Sequence, residues 1–163
     1  GLPIEFFKLL GVLSAMYFSL NYYTKLSDII QGYPFFKDLS LELLDFLIFL
    51  ILAGAGYAVF VILRRLFYRF IKMETVPGIK KMGGFILGLA RGYFIIGLLA
   101  YMLTISSISY LNMSVRYSYL GRKAFSIAPA AYNWLWSNLV SKFTSGEKSN
   151  STVSEVVENF KRK

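Results

Sequence analysis

The sequence predicts an all-α fold, a polytopic membrane protein with about three transmembrane helices and a C-terminal amphipathic interfacial helix. Three observations carry this. Of 163 residues 56% are hydrophobic and 18% aromatic, while 17% are charged, below the quarter expected of a soluble domain. The apolar residues gather in blocks of about 20, the length that spans a bilayer. Small residues recur inside those blocks, where helices in lipid pack by close backbone contact.

The first span is placed at residues 4–23, with Phe6, Leu9, Val12, Leu13, Met16 and Leu20 among its apolar side chains. Glu5 and Lys8 fall near its start, where charged heads reach the interface. A chain opening on Gly1 implies a preceding segment, and the residues present do not have the basic and small-residue marks of a signal peptide. Residues 25–38 read as a short loop around Gly32 and Pro34. The second span, 41–63, is the most apolar; Glu42 and Asp45 suit the positive end of its dipole. Within it Ala53-Gly54-Ala55-Gly56 offers Gly54 and Gly56 as helix-packing positions. A basic aromatic extension follows, in which Arg64, Arg65, Arg69 and Lys72 are expected at the lipid headgroups, joined by Lys80 and Lys81.

Thr75-Val76-Pro77-Gly78 reads as a turn before the third span, 84–108. There Gly84, Gly88 and Gly92 recur every four residues and form one helix face without side chains, expected to pack on the second span through Ala53–Gly56. Arg91 lies about two turns inside, a depth that costs several kcal/mol without a partner. Glu5 is the acid nearest in height, which predicts an intramembrane Glu5–Arg91 pair. The rival is Arg91 reaching the cytoplasmic phosphates, with Glu5 satisfied by Lys8. Residues 64–81 hold six Lys or Arg against Glu74, so the positive-inside rule places this connection in the cytoplasm and residues 25–38 outside.

Residues 124–143 carry apolar side chains at helical spacing opposite Ser126, Asn133, Ser137 and Ser141, the pattern of a helix lying in the interface. They close a membrane domain of residues 1–143. Residues 144–163 read as a polar tail with a short helix over Val153–Phe160. Counting crossings places Arg116, Arg122 and Lys123 outside, against the positive-inside rule.

The sequence has neither Cys nor His, so thiol chemistry, Cys/His zinc sites and histidine catalysis are excluded. No Walker loop, dinucleotide fingerprint or HExxH occurs. With nine acids and no polar cluster in a span, the reading is not an enzyme, with no catalytic residue, no metal and no cofactor. The net charge of +9 is assigned to membrane lipids as partners and not to nucleic acid.

Three pieces stand in a fixed order: Gly1-x-x-x-Glu5 leading into a span that ends in Asn21-Tyr22-Tyr23; Gly84-x-x-x-Gly88-x-x-Arg91-Gly92; and Ser118 followed by Pro129. This arrangement resembles the colicin V production protein family of bacterial inner-membrane proteins, over about residues 1–140. Members carry one more hydrophobic helix ahead of the first piece, and an Asp-Arg pair where Lys80-Lys81 stands here. The resemblance implies a multi-pass protein of the bacterial inner (cytoplasmic) membrane, serving envelope homeostasis or toxin export as a scaffold or accessory protein. The alternative is a subunit of an oligomeric transporter or channel, with Glu5, Asp45 and Arg91 along a polar path. Either role implies a homo-oligomer or a second membrane protein as partner.

Overall fold

The computed structural model describes residues 2–70 and 77–162. Three long helices dominate: α1 (Leu2–Gln31), α2 (Leu41–Phe70) and α3 (Pro77–Ile105). All three are long and apolar enough to cross a membrane. At 30, 30 and 29 residues they measure roughly 45 Å, against a hydrocarbon core of about 30 Å, so each projects beyond the bilayer or tilts within it. Shorter helices follow: α4 (Ser109–Tyr117), α5 (Tyr119–Leu135), a π-helical turn (Trp136–Val140), α6 (Ser141–Phe143) and α7 (Ser151–Arg162).

Several boundaries differ from the sequence reading. The expected loop at 25–38 is helical as far as Gln31, because Leu26, Ile29 and Ile30 extend the apolar pattern of α1; only a short connection with a 3₁₀ turn (Pro34–Phe36) remains. Pro77, expected in a turn, opens α3, as suits a residue whose missing N–H is unneeded in a first turn. Thr75 and Val76 of the expected turn, and Lys72, lie outside the described residues. The third span stops at Ile105 rather than Ile108. Residues 109–117, to which the sequence reading assigned no element, form α4. The expected interfacial helix begins earlier, at Tyr119, where the Ser118 hydroxyl caps it by accepting from the Gly121 N–H at 3.2 Å.

The bundle is arranged around α1. Its buried residues, among them Gly11, Val12, Ala15, Met16, Ser19, Leu20 and Tyr23, face helices on two sides. Helix α2 runs antiparallel to it: Gly11 lies on Phe60, and Gly56 on Ala15. Helix α3 runs parallel to α1 on another side, with Leu2 against Gly83 and Tyr23 against Tyr101. Helix α5 descends antiparallel to α3, pairing Phe125 with Tyr101 and Ile127 with Gly97. Helix α7 returns along α5, which brings Phe160 onto Phe125 and Asn150 onto Tyr132. The residues read as a polar tail therefore bury Val153 and Phe160 in the same core as Tyr23 and Tyr101.

Rings form the spine of that core. Neighbouring centroids are 5.5 Å apart for Tyr23–Phe49, 5.5 Å for Phe49–Tyr101, 5.8 Å for Tyr101–Phe125 and 4.1 Å for Phe125–Phe160. Side chains of α1, α2, α3, α5 and α7 thus meet in one continuous chain of rings, edge-on at Tyr23–Phe49 and stacked from Tyr101 to Phe160. Each such pair contributes about 0.5–1.5 kcal/mol beyond area burial.

Candidate functional site: an ion cluster beside an open glycine face

Helix register brings Arg91 and Glu5 together. From the contact of Leu2 with Gly83, Arg91 lies eight residues further along α3 and Glu5 three residues further along α1. The rises are ~12 Å and ~4.5 Å, a gap of roughly 7.5 Å that two long side chains span. Arg91 Nη1 stands 2.9 Å from Glu5 Oε2, and Lys8 Nζ donates to Glu5 Oε1 at 2.7 Å. The two partners that the sequence set against each other occupy separate oxygens of one carboxylate. The Arg91 and Glu5 side chains remain 27% and 18% exposed, so the pair is shielded but not sealed. One acid between two bases leaves the cluster a net cation.

Glu5 and Arg91 line an open groove of about 580 Å³ together with Lys80, Lys81, Gly84, Phe85, Gly88 and Leu89. The glycine face does not pack on α2. A Cβ added at Gly84, Gly88 or Gly92 would meet no atom within 4 Å. The expected contact with Ala53–Gly56 is corrected: α1 lies between, and a Cβ at Gly56 would stand 2.9 Å from the Ala15 Cα, while Gly54 faces open space. Two glycines of α3 are tight: Gly83, where a Cβ would overlap the Leu2 side chain, and Gly97, where it would come within 2.6 Å of Ile127. Gly97 lies outside the four-residue repeat, and no local pattern marked it.

The other sequence-selected cations spread over the same end. Arg65 and Arg69 are exposed near the end of α2, and Lys81 is exposed near the start of α3. Arg64 and Lys80 are half-buried, Arg64 beside Phe7, Lys8 and Phe60.

The opposite end holds a polar network that the sequence reading did not select. The Tyr132 hydroxyl donates to Asn21 Oδ1 at 2.7 Å and accepts from the Asn150 N–H at 2.8 Å. Asn150 Nδ2 donates to the Leu20 carbonyl at 2.8 Å. Burial pushes the Tyr132 phenol above its ordinary value, so it stays a neutral donor at any physiological pH. Glu147 accepts from the hydroxyls of Tyr17 and Tyr22. Asp45, read as a dipole-stabilised acid, accepts from the Ser27 hydroxyl and lies far along α1 from Glu5 and Arg91. The signal for the network was Asn21, a polar side chain inside an apolar block.

Among the described residues, no three acidic, His or Cys side chains come together as metal ligands would. The charges present can hold helices in register or attract an anion.

The sequence pattern of the colicin V production protein family matches residues 1–129. The chain belongs to that family. The match covers α1 to α4 and ends within α5, so it takes in the ion cluster and the glycine face of this family member, while α7 lies beyond it. No curated protein and no solved structure matches the chain.

Proposed function

We propose that this colicin V production family protein is a non-enzymatic accessory or scaffold protein of the bacterial inner membrane, which serves envelope homeostasis or toxin export by docking another membrane helix on the glycine face of α3. One observation carries the reading. Of the glycines in the apolar part of α3, Gly97 is filled by Ile127, whereas Gly84, Gly88 and Gly92 stand open in a row. Interior glycines weaken a helix by about 1 kcal/mol each relative to Ala, a cost that close packing against a further backbone offsets. Phe85 and Leu89 flank the row as exposed apolar contacts, and the Arg91–Glu5 pair gives the groove a polar stop at a fixed depth. The occupant is a second copy of the chain or another membrane protein.

In this reading the end with Arg64, Arg65, Arg69, Lys80 and Lys81 faces the cytoplasm, where Lys and Arg contact anionic headgroups. Cys placed at Asp28, exposed on the last turns of α1, should react with an impermeant maleimide in intact cells, and Cys at Glu74 should not.

The chain has no Cys of its own, so Cys at Gly88 provides a single reporter. Oxidation in the membrane should give a cross-linked dimer if the occupant is a second copy, or a photo-activated maleimide should capture a different protein. With the reporter moved to Cys at Phe85, Gly88→Leu should abolish the product while leaving the melting temperature of the purified chain unchanged. Unchanged cross-linking from a Leu-substituted face, reported by Cys at Phe85, would sink the proposal.

A further inference from the structure

A second cleft, on the C-terminal helices, is built for an anion. It lies between α4, α5 and α7 and encloses about 760 Å³, within the size range of small-ligand sites. Three cations on its wall come from three different helices: Arg116 near the end of α4, Arg122 in the first turn of α5 and Lys161 in the last turn of α7. Tyr117, Ser126 and Asn133 add hydrogen-bonding groups, and among the described residues no carboxylate lines the cleft. Three like charges brought together by separate helices repel one another unless an anion lies between them.

The neighbouring acids do not fill that role. Among the described residues, Glu158 pairs with Arg162 at 3.8 Å, and Arg116, Arg122 and Lys161 make no ion pair. Glu42 lines an adjoining groove with Arg116 but is not bonded to it. The Arg116 guanidinium lies over the Phe160 ring, 5.6 Å from its centroid, and its Nε is buried without a hydrogen-bond partner. An arginine over an aromatic ring keeps its forked N–H groups, the donor geometry that matches phosphate oxygens.

The floor is apolar: Phe125, Pro129, Ala130, Val157 and Phe160. A cationic wall over an apolar floor suits an amphiphile better than a free ion. The rim of the cleft at Arg116 adjoins Ser106 and Ser107, just past the end of α3 at Ile105, while the floor runs beside Tyr101 through Phe125. Arg116 and Arg122, which run against the positive-inside rule, thereby gain a task.

We infer that the cleft between α4, α5 and α7 binds a phosphate group, presented by the headgroup of an anionic phospholipid. The inference is independent of the docking role of α3, because it uses different residues at the other end of the bundle.

The test uses the full chain in detergent micelles, with phosphatidylglycerol, phosphatidylcholine or inorganic phosphate added at equal concentration. Native mass spectrometry should show one retained phosphatidylglycerol, with phosphatidylcholine retained at least tenfold less. Arg122→Gln with Lys161→Gln should lose that retention at least tenfold. This variant keeps Arg116 on Phe160, and an unchanged melting temperature in phosphatidylcholine micelles verifies its fold. Lys123→Gln with Arg162→Gln removes the same charge from exposed positions outside the cleft and should retain the lipid. Equal loss in both double variants means diffuse surface attraction and overturns the site. Stabilisation by inorganic phosphate that disappears in the cleft variant, without lipid retention, supports the phosphate site and assigns its source to the aqueous phase. Absence of both responses overturns the inference altogether.

Discussion

The two ends of the bundle use the same three helices in opposite ways. At the end where α1 and α3 begin, a pair of charges joins them and the face of α3 beside that pair is bare. At the other end α5 and α7 cover α1 and α3, and five rings and a buried Tyr–Asn network fill the interior. Gly88 and Gly97 mark the contrast on one helix: one open, one pressed against Ile127. In lipid a glycine records that a backbone approach is permitted, and the fold decides whether this chain or another makes it.

The comparison breaks most easily at the covered end. Tyr101→Ala removes the ring shared by Tyr23, Phe49 and Phe125 and should cost about 3–5 kcal/mol, read as loss of resistance to SDS unfolding. A loss under about 1 kcal/mol would mean that the rings are not the main tie. Gly97→Ala should cost about 1–3 kcal/mol, since its Cβ overlaps Ile127.

At the open end the ion cluster should respond asymmetrically. Glu5→Gln strands two cations, whereas Arg91→Gln leaves Glu5 with Lys8. For a half-shielded pair the cost of Glu5→Gln should be about 1–3 kcal/mol, between the values for exposed and buried pairs, and Arg91→Gln should cost less. The double change should cost less than the sum of the singles; strictly additive losses in the thermodynamic cycle would show that the pair is not coupled. Glu147→Gln weakens two hydrogen bonds to α1 and should cost about 1 kcal/mol, with faster amide exchange in α7 as its local readout. Smallest of all, Gly88→Ala should change the stability of the isolated chain by under about 0.5 kcal/mol. A large loss there would place a hidden contact on the open face.

The three spans were legible because hydropathy and length alone report what can sit in a bilayer. Proximity of Arg91 and Glu5 was legible for a related reason: a charge at depth has few partners, and helix rise fixes which are in reach. The central role of α1 was not. In lipid, apolar residues cover outward and inward faces alike, so the pattern of α1 does not reveal that Gly11, Ala15 and Ser19 face neighbours while Phe18 faces out. The glycine repeat was conspicuous in sequence and led to the wrong neighbour, since spacing shows a face but not its occupant. Helix α7 was undervalued because it is polar on average, and its two buried anchors, Val153 and Phe160, are seven residues apart.

The contacts between Glu147 and the tyrosines of α1 have a consequence for how the protein is made. Tyr17 and Tyr22 leave the ribosome 130 and 125 residues ahead of the carboxylate they bond. At bacterial elongation speeds that is a wait on the order of 6–26 s. Until Tyr132 emerges Asn21 lacks its partner, and α1 must reside at the insertion machinery or in lipid with polar groups exposed. The segment carrying Glu147 and Asn150 is therefore the one that releases α1 from that state, and a ribosome stalled before residue 147 should leave a nascent chain that is inserted but still held by its insertase.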